Sequence, residues 1–141
     1  MKNTAILYPL FAQVTLVFIM LFWMGIERIG AIRKGQVKAS DIARRNASFP
    51  EQCAMVSNNY HNQFEFPVLF YLLVPLVMIT NQVDMLMVGL AWVYVGIRYI
   101  HAYIHTKVRS ITKRFFMFMI SCFVLLVMWL LFAGRIILSS L

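Results

Sequence analysis

Asn58, Asn62 and Glu65 follow one another at spacings of four and three residues, and Arg98, His101 and His105 at spacings of three and four. Residues spaced in this way share one face of a helix, because a turn takes ~3.6 residues. Glu51 joins the first set within roughly 60° of arc, with His61 at its edge. Tyr94 and, if the helix persists, Arg109 join the second within roughly 80°. Amides, carboxylates, histidines and arginines on two such stripes make a site rich in hydrogen bonds and biased toward positive charge, which suits an anionic ligand. His101 and His105 at i, i+4, with Glu65 as a third donor, also have the spacing of a metal site. Arg98 and Arg109 on the same face would repel a cation, so no metal is expected.

These residues must be positioned by apolar helices. A chain of 141 residues that is 62% hydrophobic and 13% charged cannot hide so much apolar surface in one small water-soluble core, so its solvent is lipid. The uncharged runs from Asn3 to Ile26 and from Phe115 to Gly134 are long enough to cross ~30 Å of hydrocarbon. Between them, Met85 to Ile97 is too short to cross, so the third helix must take in Arg98, His101 and His105. The second extends back through Glu65 to Phe49, opened by Ser48-Phe49-Pro50-Glu51 as a capped start and bent near Pro67 and Pro75. The expected fold is an all-α membrane protein, a single four-transmembrane-helix domain over residues 1–141 with helices at roughly 4–32, 49–80, 85–109 and 113–138. Asn62 and Glu65 then lie ~13 to 16 residues into the second helix and Arg98 ~10 residues from the end of the third, at one depth. A Glu65 to Arg98 ion pair is expected there. Each charge costs on the order of 2.5 to 3.5 kcal/mol in lipid, so the set should face protein or a water-filled interior.

Basic residues set the orientation. Arg28, Arg33, Lys34, Lys38, Arg44 and Arg45 crowd the first connection and Lys107, Arg109, Lys113 and Arg114 the third, which places both in the cytoplasm and both termini outside. The net charge of +8 thus reports topology and contact with anionic lipid headgroups; no nucleic-acid module is present and none is expected as a partner. The first apolar run is too long for a signal peptide and lacks a small-residue cleavage pattern, so it is expected to remain. Cys53 and Cys122 are far apart and have no metal-type spacing, which argues against a disulfide framework.

The segment Asn62-Gln63-Phe64-Glu65-Phe66-Pro67-Val68-Leu69-Phe70-Tyr71, followed by Arg98-Tyr99-Ile100-His101 and His105, resembles the membrane-associated eicosanoid and glutathione metabolism (MAPEG) superfamily, most of all its bacterial members. The resemblance covers the four-helix plan, and its specific part is Asn-x-x-Glu-x-Pro followed by Arg-x-x-His. It implies a homotrimer with glutathione as thiol co-substrate at subunit interfaces near the cytoplasmic side, and a bacterial inner membrane as the location. Asn62, Glu65 and Arg98 then match glutathione contacts, His101 the place of a histidine or tyrosine ligand, and His105 that of a tyrosine. Asn58 stands where the family's enzymes usually carry an arginine. For the arginine beside the thiolate, Arg109 matches in local sequence and Arg114 in spacing.

Such a protein would be a glutathione-dependent transferase or peroxidase acting in detoxification, its thiolate stabilised by arginine and its lipophilic electrophile arriving through the bilayer. The alternative is a non-enzymatic lipid-binding or regulatory membrane protein of the same fold, motivated by Asn58. A third class, proton movement through His61, His101 and His105, is opposed by the apolar outer half of every helix. Methionine, phenylalanine, Trp23, Trp92 and Trp129 are expected in packing, lipid contact and interface anchoring.

Overall fold

The computed structural model describes residues 3–43, 48–108 and 110–139, and all regular structure among them is helical. A 3₁₀ turn, Asn3–Ile6, leads into α1 (Leu7–Arg33); α2 is the short Ala39–Ala43; α3 is Glu51–His61 and α4 Val68–Ile79; α5 (Met85–Tyr103) continues as a π-helical turn, Ile104–Val108; and α6 is Ile111–Ser139. Three helical stretches, Asn3–Arg33, Met85–Val108 and Ile111–Ser139, are long and apolar enough to cross a membrane. The shortest, at 24 residues, measures on the order of 36 Å, which exceeds the hydrocarbon thickness.

The second expected helix is divided. Its backbone leaves the α-helical path over residues 62–67, where Gln63 and Phe64 donate three residues back to the carbonyls of Tyr60 and His61. Pro67 lacks the amide that would continue the ladder to Gln63, and its ring crowds that carbonyl. Pro75, by contrast, sits inside α4 without ending it. The start of α3 also differs from expectation. Pro50 itself is the cap residue, at φ −52 and ψ 151, and it makes no side-chain cap hydrogen bond. Ser48 is two residues too early to reach the free amides.

The core on the side of the α4–α5 hairpin is apolar: Phe70, Leu73, Val74 and Val77 of α4 pack with Met87, Ala91, Tyr94 and Val95 of α5 and Leu125, Met128 and Phe132 of α6. The Phe70 and Tyr94 rings stack at 4.7 Å. Polar groups tie off that end. Asn81 takes up the left-handed conformation (φ 57), Asp84 accepts from the Met87 amide at 2.8 Å as cap of α5, and Arg135 of α6 pairs with Asp84 at 2.6 Å. The hydrogen bond from Arg135 holds the Asp84 carboxyl below its ordinary value. Asn3 reaches the same hairpin, donating to the Met78 carbonyl and Asn81 Oδ1, both at 3.0 Å. Cys53 and Cys122 are free thiols.

Candidate functional site

The break between α3 and α4 assembles a polar cluster. Without a helical turn after it, the Asn62 carbonyl takes no amide from Phe66, and Arg98 Nη2 of α5 donates to it at 3.0 Å. The same nitrogen donates to Gln63 Oε1 at 3.1 Å. Gln63 Oε1 also receives Gln13 Nε2 of α1 at 3.1 Å, and Gln63 Nε2 donates to Asn59 Oδ1 at 3.1 Å. Asn59 Nδ2 then donates to the Ala102 carbonyl at 3.0 Å. A ladder of three carboxamides therefore links α1, α3 and α5 around a guanidinium that is 0% exposed.

Arg98 and Glu65 do not form the expected ion pair. Glu65 is on the exposed side of the chain, while the buried Arg98 is held by neutral oxygens. A carboxylate brought inward would pay a second desolvation cost, whereas carbonyl and amide oxygens at the break are already there. Arg98 Nε and Nη1 and Tyr94 Oη are also buried with no hydrogen-bond partner among the described residues.

The two faces of α3 have separate roles. Cys53, Val56 and Asn59 face inward, with Gln63 buried beyond them. The predicted stripe lies on the other side: Glu51, Asn58 and Glu65 are exposed and Asn62 half-buried. His61 is exposed too, its Nδ1 donating to the Ser57 carbonyl at 2.7 Å. It stands apart from His101 and His105, whose rings lie 5.7 Å from each other, so the three histidines form no chain. The α5 stripe is brought together as expected, with Tyr94, Arg98, His101 and His105 all buried. Arg109 lies outside the described residues, as do Arg44 and Arg45.

A π-helical turn places His105. The Ala102 carbonyl accepts from Asn59 Nδ2 and also from Thr106 Oγ1 at 2.8 Å, and side-chain donors of this kind loosen the regular i→i−4 ladder and let the turn widen. His105 then sits between two elements: Arg114 Nη1 of α6 lies 3.1 Å from its Nε2 and Asn62 Nδ2 3.4 Å from its Nδ1.

Two clefts meet at Arg114. One, of about 240 Å³, is lined by Asn62, Glu65, His101, Ile111, Arg114, Phe115 and Phe118. The other, of about 170 Å³, is lined by Glu51, Met55, Ile104, His105, Ser110, Ile111 and Arg114. Of the predicted residues, Asn62, Glu65, His101, His105 and Arg114 converge there; Arg98 lies behind the wall, and Asn58 lines neither cleft. Chemically, the larger cleft offers a guanidinium, an amide and a carboxylate against an aromatic wall. That combination can hold an anion or zwitterion beside an apolar reactant.

Sequence reasoning passed over Gln13, Asn59 and Gln63. Gln13 had a signal, being the one carboxamide between Leu7 and Ile26, since a polar group in an apolar span needs a partner. Asn59 and Gln63 form their own i, i+4 pair, one residue out of step with Asn58 and Asn62.

Compared with known proteins, the chain matches the MAPEG family model over residues 6–134. No curated protein and no solved structure matches it.

Proposed function

The chain belongs to the MAPEG family, and on that premise we propose that it is a membrane-embedded glutathione-dependent transferase or peroxidase acting on lipophilic electrophiles. The observation that carries this is Arg114, a guanidinium on the rim of both clefts, hydrogen-bonded to His105 and set beside Asn62, Glu65 and the Phe115 and Phe118 rings. A fixed positive charge beside a thiol favours the thiolate and so supplies a nucleophile at neutral pH. In a substitution the sulfur bonds to the electrophilic carbon while the leaving group departs with its electron pair. Glu65 suits the ammonium of the thiol peptide, and Asn62 can donate to one of its carbonyl or carboxylate oxygens. The apolar groove of about 330 Å³ between α4 and α6, lined by Phe66, Leu69, Leu72, Leu125, Leu126 and Trp129, gives a lipid-soluble reactant a lateral approach.

The assembly proposed is a homotrimer of four-span protomers, with α3 and α4 together making the second crossing. Glu51, Asn58 and Glu65 are exposed on one protomer, and polar groups are costly against lipid, so burial against a neighbouring copy would make the cleft an intersubunit site. The proposed location is a bacterial inner membrane with the basic connections in the cytoplasm, where Arg33, Lys34 and Lys38 can meet anionic headgroups. Conjugation of a chlorinated nitrobenzene by purified protein with glutathione tests the proposal: turnover lost in Arg114→Ala supports it, and no binding at millimolar glutathione overturns it.

Asn58, exposed and without a guanidinium, favours a second function, a lipid-binding or regulatory protein with the same fold. Co-purified lipid in the groove with no thiolate absorbance on adding glutathione would mark that function, and turnover of any electrophile would exclude it.

A further inference from the structure

Two of the cleft's hydrogen-bonding groups are joined by one residue. His105 comes from the π-helical turn, Arg114 from the first turn of α6, and Asn62 from the break after α3. A guanidinium has only donors. At 3.1 Å from Arg114 Nη1, His105 Nε2 must therefore carry the lone pair, and the ring proton must sit on Nδ1. The Nδ1–H in turn faces the Asn62 amide at 3.4 Å. Two donors cannot face each other, so the amide turns its oxygen to the ring and leaves its NH₂ for the cleft.

From this arrangement we infer that His105 is a positioning residue, a neutral bridge that accepts from Arg114 and donates to Asn62 and so fixes the direction of both cleft donors. Resting on the thiol-dependent reaction proposed above, this role explains how the thiolate-stabilising cation keeps one orientation on a long side chain at a helix start. A long side chain otherwise spends rotamer entropy on every encounter. His105 is itself 4% exposed, and its ring is packed against His101, so the bridge is rigid. Hydrogen bonds in series also polarise one another, which strengthens the donor that Asn62 presents.

The role separates a bridge from a space-filler. His105→Phe keeps the ring and removes both nitrogens; His105→Gln can accept from Arg114 with its oxygen and donate to Asn62 with its amide. In detergent-purified protein, the fraction of bound glutathione ionised, read from thiolate ultraviolet absorbance, should fall about tenfold in His105→Phe, and kcat with chlorinated nitrobenzene should fall with it. His105→Gln should recover most of that loss. Equal defects in the two variants would overturn the inference. A direct measurement needs no thiol chemistry: nitrogen NMR of labelled histidine should show the Nδ1-protonated tautomer of His105 in the unaltered protein and lose that preference in Arg114→Ala. A proton on Nε2 in the unaltered protein overturns the bridge even if turnover is found. The Nδ1 tautomer with no turnover in any variant sustains the bridge and refutes the transferase proposal instead.

Discussion

The two ends of the helical bundle solve the same solvation problem in opposite ways. Toward the α4–α5 hairpin the interior is hydrocarbon, from Phe70 and Leu73 to Leu125 and Met128, and charge is confined to the rim as the Asp84–Arg135 pair. Toward the other end the interior holds Arg98, Asn59, Gln63, Gln13 and His105, wired by hydrogen bonds instead of ion pairs, and His101, whose ring packs against those of His105 and Phe118. Lipid gives no hydrophobic drive to helix association, so the apolar end depends on packing alone, whereas the polar end is directional and can hold groups at fixed angles. Function follows that directionality: the clefts open where the hydrogen bonds are.

Substitutions at each end should separate stability from chemistry. Arg98→Leu strips the ladder of its cation and leaves the Asn62 carbonyl without a donor, and the loss of two charge-assisted hydrogen bonds should cost about 3 kcal/mol, seen as earlier thermal unfolding in detergent. Next is Arg114→Ala, expected to lower kcat/KM with glutathione and chlorinated nitrobenzene by about 100-fold, or about 2.7 kcal/mol, at nearly unaltered thermal stability. Pro67→Ala restores an amide at the break and lets α3 run on, so the Phe66 amide competes with Arg98 for the Asn62 carbonyl; catalytic efficiency should fall about tenfold, since small misplacement of a cleft residue is costly. An unchanged efficiency would show that the break shapes nothing in the cleft.

At the apolar end, Leu73→Ala should cost about 1 to 2 kcal/mol. Only the cavity part of the usual aqueous penalty survives in lipid, and turnover per folded molecule should stay the same. The smallest effect is at the rim. Asp84→Asn should cost under about 1 kcal/mol, because the pair is partly exposed and screened. Its pH dependence has a definite sign: the folded carboxyl is held low by Arg135, so its contribution is present above the unfolded carboxyl value of about 3.9 and is lost as pH falls through the lower folded value. Thermal melts between about pH 5 and pH 2 should lose that acid-side slope in Asp84→Asn.

Much of this was legible from residue spacing. The apolar runs marked α1, α4, α5 and α6, and the start signal before Glu51 marked α3, whereas α2 lies in what reads as a basic connection. Tyr94, Arg98 and His101 are buried along one face of α5 as the 3.6-residue period required, with His105 buried beyond them on the π-helical turn. Asn62 and Glu65 were set at the depth of Arg98, and the structure places both in one cleft with His101. Glu65 and Arg98 were wrongly paired, because opposite charge at equal depth says nothing about which face each helix turns to the bundle. Asn59 and Gln63 escaped notice for the same reason: they lie one residue from the stripe with the charges, and only packing against α1 and α5 decides which stripe is interior.

Composition and periodicity alone determined that the chain lives in lipid as helices, and the Asn-x-x-Glu-x-Pro and Arg-x-x-His patterns pointed to its family, since both follow from local chemistry along the chain. The tertiary structure decided the rest. It turned the bend at Pro67 into a break, in which the Asn62 carbonyl receives Arg98 in place of a helical amide, and it made His105 the meeting point of Arg114 and Asn62, because a widened turn set the ring between two elements. Both outcomes depend on partners 36 and 9 residues away or more, and such distances carry no period for a sequence to reveal.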